Sequence, residues 1–455
     1  MVEAILAASL VLATLLNLGA WHAGLSMPAE VYLGLAFALA GTAWVQGTAG
    51  RLALCVAAVM VAVILGSPLT SWDARVIWFF HGKRIFLGND ILAQLDNYIP
   101  ATHNDYPVLI PAVAASLAKS VGYWNEVFPR LSILTIVLPA LVFIAIRIER
   151  TNHVLAWLTC VLVLGNKLLI NGFMDSLLAL TVASLGVAYM ELHAGGRIRG
   201  AGERWGLVFL VLVLTVALPH LKNEGMLAVI AFGVSMGVRS RQWRVPLLAT
   251  LLATFGYVAW WRLPVALNAV QTDLFVPGMV ARAATRLTDP GAVLLIGAWF
   301  ALHAGPACVT LVAHARTRQA GMPIDQSWMR AIAFVGFCVL GMAAIYLTTP
   351  NDLAWHLETS ARRVFLPVLI YAVTVVMYDL SNAGKNALPS MLAARWAFLW
   401  KRSVIEAFLV SGVTSQSMRS GKYGLTFRRS VKLVRLRPRL MVDMILSRAS
   451  KSSNT

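Results

Sequence analysis

One feature recurs along the first 380 residues: apolar runs of about twenty residues, the length that carries a helix across a hydrocarbon core. In lipid every backbone N–H and C=O must be paired inside the protein, so runs of this kind read as helices. They lie near residues 2–22, 30–49, 51–69, 107–122, 128–147, 154–172, 176–193, 205–220, 222–238, 245–262, 291–313, 328–349 and 363–380. The expected fold is therefore an all-α polytopic membrane protein with about 12–13 transmembrane helices, each near the spanning length. Composition agrees: charged residues are 13% of the chain, against about 25% in soluble domains. The first run carries Asn17 and no small-residue cleavage site, so it is expected to stay as a helix. Cys55, Cys160, Cys308 and Cys338 fall inside apolar runs without C-x-x-C spacing and read as core thiols.

The net charge of +18 is uneven. From Ser381 to Thr455, fourteen Lys or Arg stand against Glu406 and Asp443, which puts +12 in the tail. Its "FRRSVKLVRLRPRL" interleaves Leu and Val with the cations, which suits a membrane surface and not nucleic acid. The division expected is a transmembrane domain over 1–380 and a basic cytoplasmic membrane-surface tail over 381–455. With that tail inside, the Arg-rich loops at 147–153, 197–204, 239–244 and 316–321 also fall inside, as the positive-inside rule requires. The loops at 171–175, 219–225, 263–290 and 347–363 fall on the other face. Thirteen full crossings would put the N-terminus outside and the loop at 71–106 inside, away from these. The 107–122 run is the shortest and begins at a Pro, so it or a neighbour is expected to be re-entrant or to span only half the bilayer.

The long loop 71–106 opens with "SWDARVIWFFHGKRIF", aromatic enough for an amphipathic helix at the membrane interface. Asp73 stands at a membrane exit, where a carboxylate can take a proton from a hydroxyl or merely cap a helix. His81, Lys83 and Arg84 follow, cations able to neutralise a phosphate leaving group. "HNDYP" adds His103, Asp105 and Tyr106 near a forced turn. Asp175 in "GFMDSLLAL" stands at a helix start, where capping is the simplest role. Lys222, Asn223 and Glu224, beside His220, fill a minimal turn at a membrane boundary, where ionisable groups tend to be functional. "TTPNDLAWHLETSARRVFLP" carries Asp352, His356, Glu358, Arg362 and Arg363. Two arginines on the outer face run against the positive-inside trend; a phosphate partner or snorkelling to headgroups accounts for them. No phosphate-binding loop, dinucleotide fingerprint, nucleophile elbow or zinc spacing occurs.

The segments "WDARVIWFFHGKRIF", "DYPVLIP", "GFMDSLLAL", "LKNEG" and "TTPNDLAWHLETSARRVFLP" resemble those of integral-membrane glycosyltransferases of the GT-C fold. Within that superfamily the chain is similar, over Pro68 to Pro367, to bacterial proteins related to the aminoarabinose transferases of lipid A and to the protein O-mannosyltransferases. The resemblance implies inverting transfer of one sugar from a polyprenyl-phosphate donor to a hydroxyl of a cell-envelope glycan or glycolipid, at the outer face of the inner (plasma) membrane. It gives Asp73 the role of catalytic base or acceptor-orienting group and Asp175 that of second external acid. Asp105 and Tyr106 fall where such enzymes hold the lipid phosphate, and Lys222, His356, Arg362 and Arg363 would bind the donor phosphate. Some members of the superfamily work without a metal and others use a divalent cation; both options stay open here. Two extra apolar segments precede the first long loop, and no large soluble C-terminal domain follows to recognise an acceptor. A transporter or flippase of a lipid-linked substrate is the alternative; it favours charges at the bilayer midplane and symmetric halves, whereas here the charges gather at one face without an internal repeat.

Overall fold

The computed structural model describes residues 1–96, 98–149, 167–193, 200–237, 243–270, 272, 276–318 and 326–382. The chain is an all-α polytopic membrane protein. Among the described residues seven helices are long and apolar enough to cross a membrane, and Pro290–His303 with Gly305–Ala315, bent by 56°, is a broken span or a re-entrant loop. The other apolar runs appear as shorter helices, such as Leu109–Val121 and Glu224–Gly237, as Ala29–Gln46, or as the Arg244–Tyr257 helix continued by a π turn to Arg262. The 154–172 run falls mostly outside the described residues, and the basic tail from 383 on does so entirely.

The helices turn apolar side chains outward as well as inward: Phe37, Leu251, Phe255, Leu294 and Leu340 are all exposed. Such faces are stable against lipid and not against water. Exposed tryptophans mark the two ends of the helices. Trp44, Trp205 and Trp243 stand at one end and Trp72, Trp260 and Trp355 at the other, matching the amphipathic belts of a bilayer. Cys338 is buried as expected; Cys55 is exposed on the outside of its helix, so its thiol belongs to the lipid-facing surface and not the core.

Two ionic assemblies fix the ends. At the first, buried Arg147 pairs with Glu3 at 2.8 Å, Glu203 at 3.0 Å and Glu191. Gln46 donates to Glu3 at 3.0 Å and Ala49 N–H to Glu149 at 2.6 Å. This joins the start of Val2–His22 to the end of Ala29–Gln46 and to the end of the Phe128–Glu149 span. The N-terminus therefore lies at the end that carries Arg147, Arg204 and Arg244, and Asp73 lies at the other. Thirteen full crossings would place it otherwise, and the reason is local. Leu109–Val121 has 13 residues, a rise of about 20 Å against a core of about 30 Å. Its flanks stay at one end: Trp21 donates to Ser116 at 2.9 Å, Ala29 N–H donates to Ser120, and Lys119 donates to Asn89. The next helix then begins with Arg130 donating to the carbonyls of Ile64 and Ser67, at the same end. The 107–122 segment enters and leaves without crossing.

Candidate functional site

The second assembly gathers most of the ionisable residues singled out above. The chain is helical from Trp72 to Gly88, with a π turn at Ala74–Trp78. Asp73 caps nothing; its carboxylate accepts from Arg363, near the end of the Leu353–Val364 helix. The Arg363 guanidinium also lies over the Phe173 ring at 5.2 Å. Phe173 is held there by the turn before the Met174–His193 helix, where Gly172 has φ +77° and a Cβ would come within 2.8 Å of Phe79. Only glycine lets this turn press against the Asp73 helix. Arg363 thus feels the charges of both Asp73 and Asp175, and it is close to the Tyr106 phenol.

Asp175 accepts from Lys222 at 2.7 Å, and Lys222 pairs with Glu224 at 2.9 Å. Burial works against the Lys222 ammonium, but Asp175 and Glu224 hold its pKa above the ordinary lysine range. Asn223 continues the network: its amide donates to Asp105 at 3.5 Å, and Tyr257 donates to its carbonyl at 2.7 Å. Asp105 is buried and also accepts from Arg262 at 3.2 Å and Thr272 at 2.8 Å, while Trp261 donates to its backbone carbonyl. His103 stacks on Tyr106 with ring centres 4.7 Å apart, and Tyr106 packs on Trp78.

Asp73, Asp105, Tyr106, Asp175, Lys222, Asn223, Glu224 and Arg363 therefore form one contiguous polar cluster at one end of the helices. Two cations pair with acids outside it. Lys83 pairs with Glu126 at 3.8 Å on the exposed surface. Arg84 pairs with Asp96 and lies over Phe80 and Tyr98. These two thus each have an acid of their own outside the cluster. His81 does not share their charge: burial, with Arg84 and His103 adding like charge, brings its pKa down to about 3, so its ring is neutral. Arg362 makes no ion pair among the described residues and acts electrostatically on His303, unlike its neighbour Arg363. His356 packs on Tyr346 at 5.0 Å, and Asp352 caps the helix that carries Arg363 by accepting from Trp355 N–H at 2.8 Å.

Arg262, Thr272 and Tyr257 join the cluster without having been singled out. "WWR" at 260–262, ending an apolar run with a cation at this end, was the available signal for Arg262; nothing local marks Thr272. Arg282 and Arg286, four residues apart, donate to carbonyls of Tyr346, Thr348, Thr349 and Asn351. They satisfy the open end of the Gln326–Thr348 helix and so steady the turn leading to Arg363.

Beside Glu224 a small apolar cavity of about 20 Å3 lies between helices, lined by Leu178, Leu227, Phe334, Cys338, Met342 and Val368. Among the described residues no three His, Cys, Asp or Glu converge to hold a metal ion. Compared with family models, curated proteins and solved structures, the chain matches none. What the cluster offers is its chemistry: carboxylates and cations paired with one another at one end of the helices, with a small apolar cavity beside them.

Proposed function

We propose that this protein is an integral-membrane glycosyltransferase that moves one sugar from a polyprenyl-phosphate donor to a hydroxyl of a cell-envelope glycan or glycolipid, with inversion. The observation that carries the reading is the meeting of Asp73, Asp175, Lys222 and Arg363 at one end of the helices. In the reaction the acceptor oxygen attacks the anomeric carbon and the bond from that carbon to the phosphate oxygen breaks. Asp73 takes the acceptor proton, and the electron pair leaves on the lipid phosphate, which Arg363 and Lys222 stabilise. The end that carries Arg147, Arg204 and Arg244 is assigned to the cytoplasm by the positive-inside rule, so the cluster opens to the outside or periplasm of the plasma membrane.

The test is transfer by the purified full chain from radiolabelled polyprenyl-phosphate sugars to envelope extracts. Asp73→Asn is expected to lower turnover at least about 100-fold, the lower range for a positioned general base. Unchanged turnover removes Asp73 from the role. Lipid passage across vesicles without sugar transfer would make the protein a carrier instead.

A further inference from the structure

Every cation of the cluster is already engaged. Lys222 sits between Asp175 and Glu224, Arg262 binds Asp105, and Arg363 binds Asp73. Four carboxylates thus meet three cations, so a phosphate arriving in the cluster competes with a carboxylate for each of them. The pairs differ in how readily they yield. Side-chain exposure is 9% and 4% for Lys222 with Asp175, and 17% and 1% for Arg262 with Asp105, but 25% and 24% for Arg363 with Asp73. The most accessible pair is the one that contains the proposed base.

Resting on the donor reading above, we propose that the lipid phosphate and Asp73 compete for Arg363, so that donor binding unmasks the base. Without donor, Arg363 occupies Asp73 and no acceptor proton can be taken. A phosphate offers the guanidinium fork a bidentate partner of equal or greater charge and draws it away. Phe173, whose ring lies against the guanidinium, keeps Arg363 in place through the exchange. The leaving group carries more negative charge than the donor diester, which strengthens its hold on Arg363 as the sugar departs. The device makes the reaction ordered, donor before acceptor, and keeps Asp73 from activating a hydroxyl with no donor present.

Competition is reciprocal: what Asp73 takes from phosphate affinity, phosphate takes from the Asp73 pair. The test is equilibrium binding of farnesyl phosphate to the full chain in nanodiscs. Asp73→Asn is expected to tighten binding about 5-fold or more, the ordinary lower size of such coupling. Arg363→Gln is expected to weaken it, and adding Asp73→Asn to Arg363→Gln should then change nothing. Asp73→Glu, which keeps the pair, should bind like the parent. Equal or weaker binding by Asp73→Asn, with the parent binding normally, overturns the exchange and leaves the donor reading intact. Absence of farnesyl phosphate binding in the parent and all variants overturns the donor reading and the exchange with it.

Discussion

Lys222 shows how a single residue at a membrane boundary betrays its importance before its partners are known. An ammonium between two apolar runs is unfavourable unless compensated, so its presence alone flags a site. Which acids compensate it is another matter: Glu224 is two residues away, but Asp175 is 47 residues away and Asp73 meets Arg363 across 290. Partner choice over such separations has no local signal. Replacing Lys222 with Met leaves Asp175 and Glu224 facing each other in a buried site and is expected to destabilise the protein by about 3–5 kcal/mol. Thermal unfolding in detergent would measure it, and an unchanged midpoint would show that the acids are solvated. His81 behaves oppositely. Its folded pKa of about 3 lies below the ordinary 6.5, so the neutral ring contributes stability above pH 6.5 that is lost as pH falls toward 3. Between pH 6.5 and 5 one proton accounts for at most about 2 kcal/mol. Melting at pH 7.5 and 5 should therefore show a smaller drop for His81→Phe than for the parent; equal drops would place the ring in water.

Among the elements, helix type and approximate extent were legible because apolar length constrains them, and the 107–122 run was marked as the odd one by its shortness and its Pro. The π turn over Ala74–Trp78 was not legible, because nothing in "ARVIW" distinguishes it from an ordinary helical turn. Nor could Thr272 be assigned to Asp105, since 167 residues separate them in the sequence. Gly172 is where element packing meets the site. Its left-handed φ costs an alanine about 1–2 kcal/mol, and a Cβ 2.8 Å from Phe79 must also move that ring. Since Phe79 continues the helix that begins beside Asp73, Gly172→Ala is expected to loosen the Asp73–Arg363 pair and cost most of the proposed transfer activity. Adding Phe79→Leu, which makes room for the methyl, should restore part of it. No loss in Gly172→Ala, or no recovery in the double variant, would separate this turn from the site.

At the scale of the whole molecule, sidedness follows from which residues share an end of the helices. Glu3, Gln46, Arg147, Glu191 and Glu203 meet at one end, and Asp73, Asp105, Asp175, Lys222 and Arg363 at the other. Counting apolar runs could not settle this, because one miscounted segment reverses everything before it, whereas a buried Arg147 shared by three helices fixes the N-terminus directly. The loop 71–106 must then share a side with the 347–363 loop, and Ala201 must lie opposite. Single cysteines at Ile99, Asn351 and Ala201, in a background without the native thiols, convert this into a measurement, since all three positions are exposed. An impermeant maleimide added to intact cells is expected to label Ile99→Cys and Asn351→Cys and to reach Ala201→Cys only after permeabilisation. Labelling of 99 and 351 from opposite sides would break the cluster apart. Labelling of all but 201 only after permeabilisation would keep the cluster whole and turn the molecule over, placing the cluster on the cytoplasmic face.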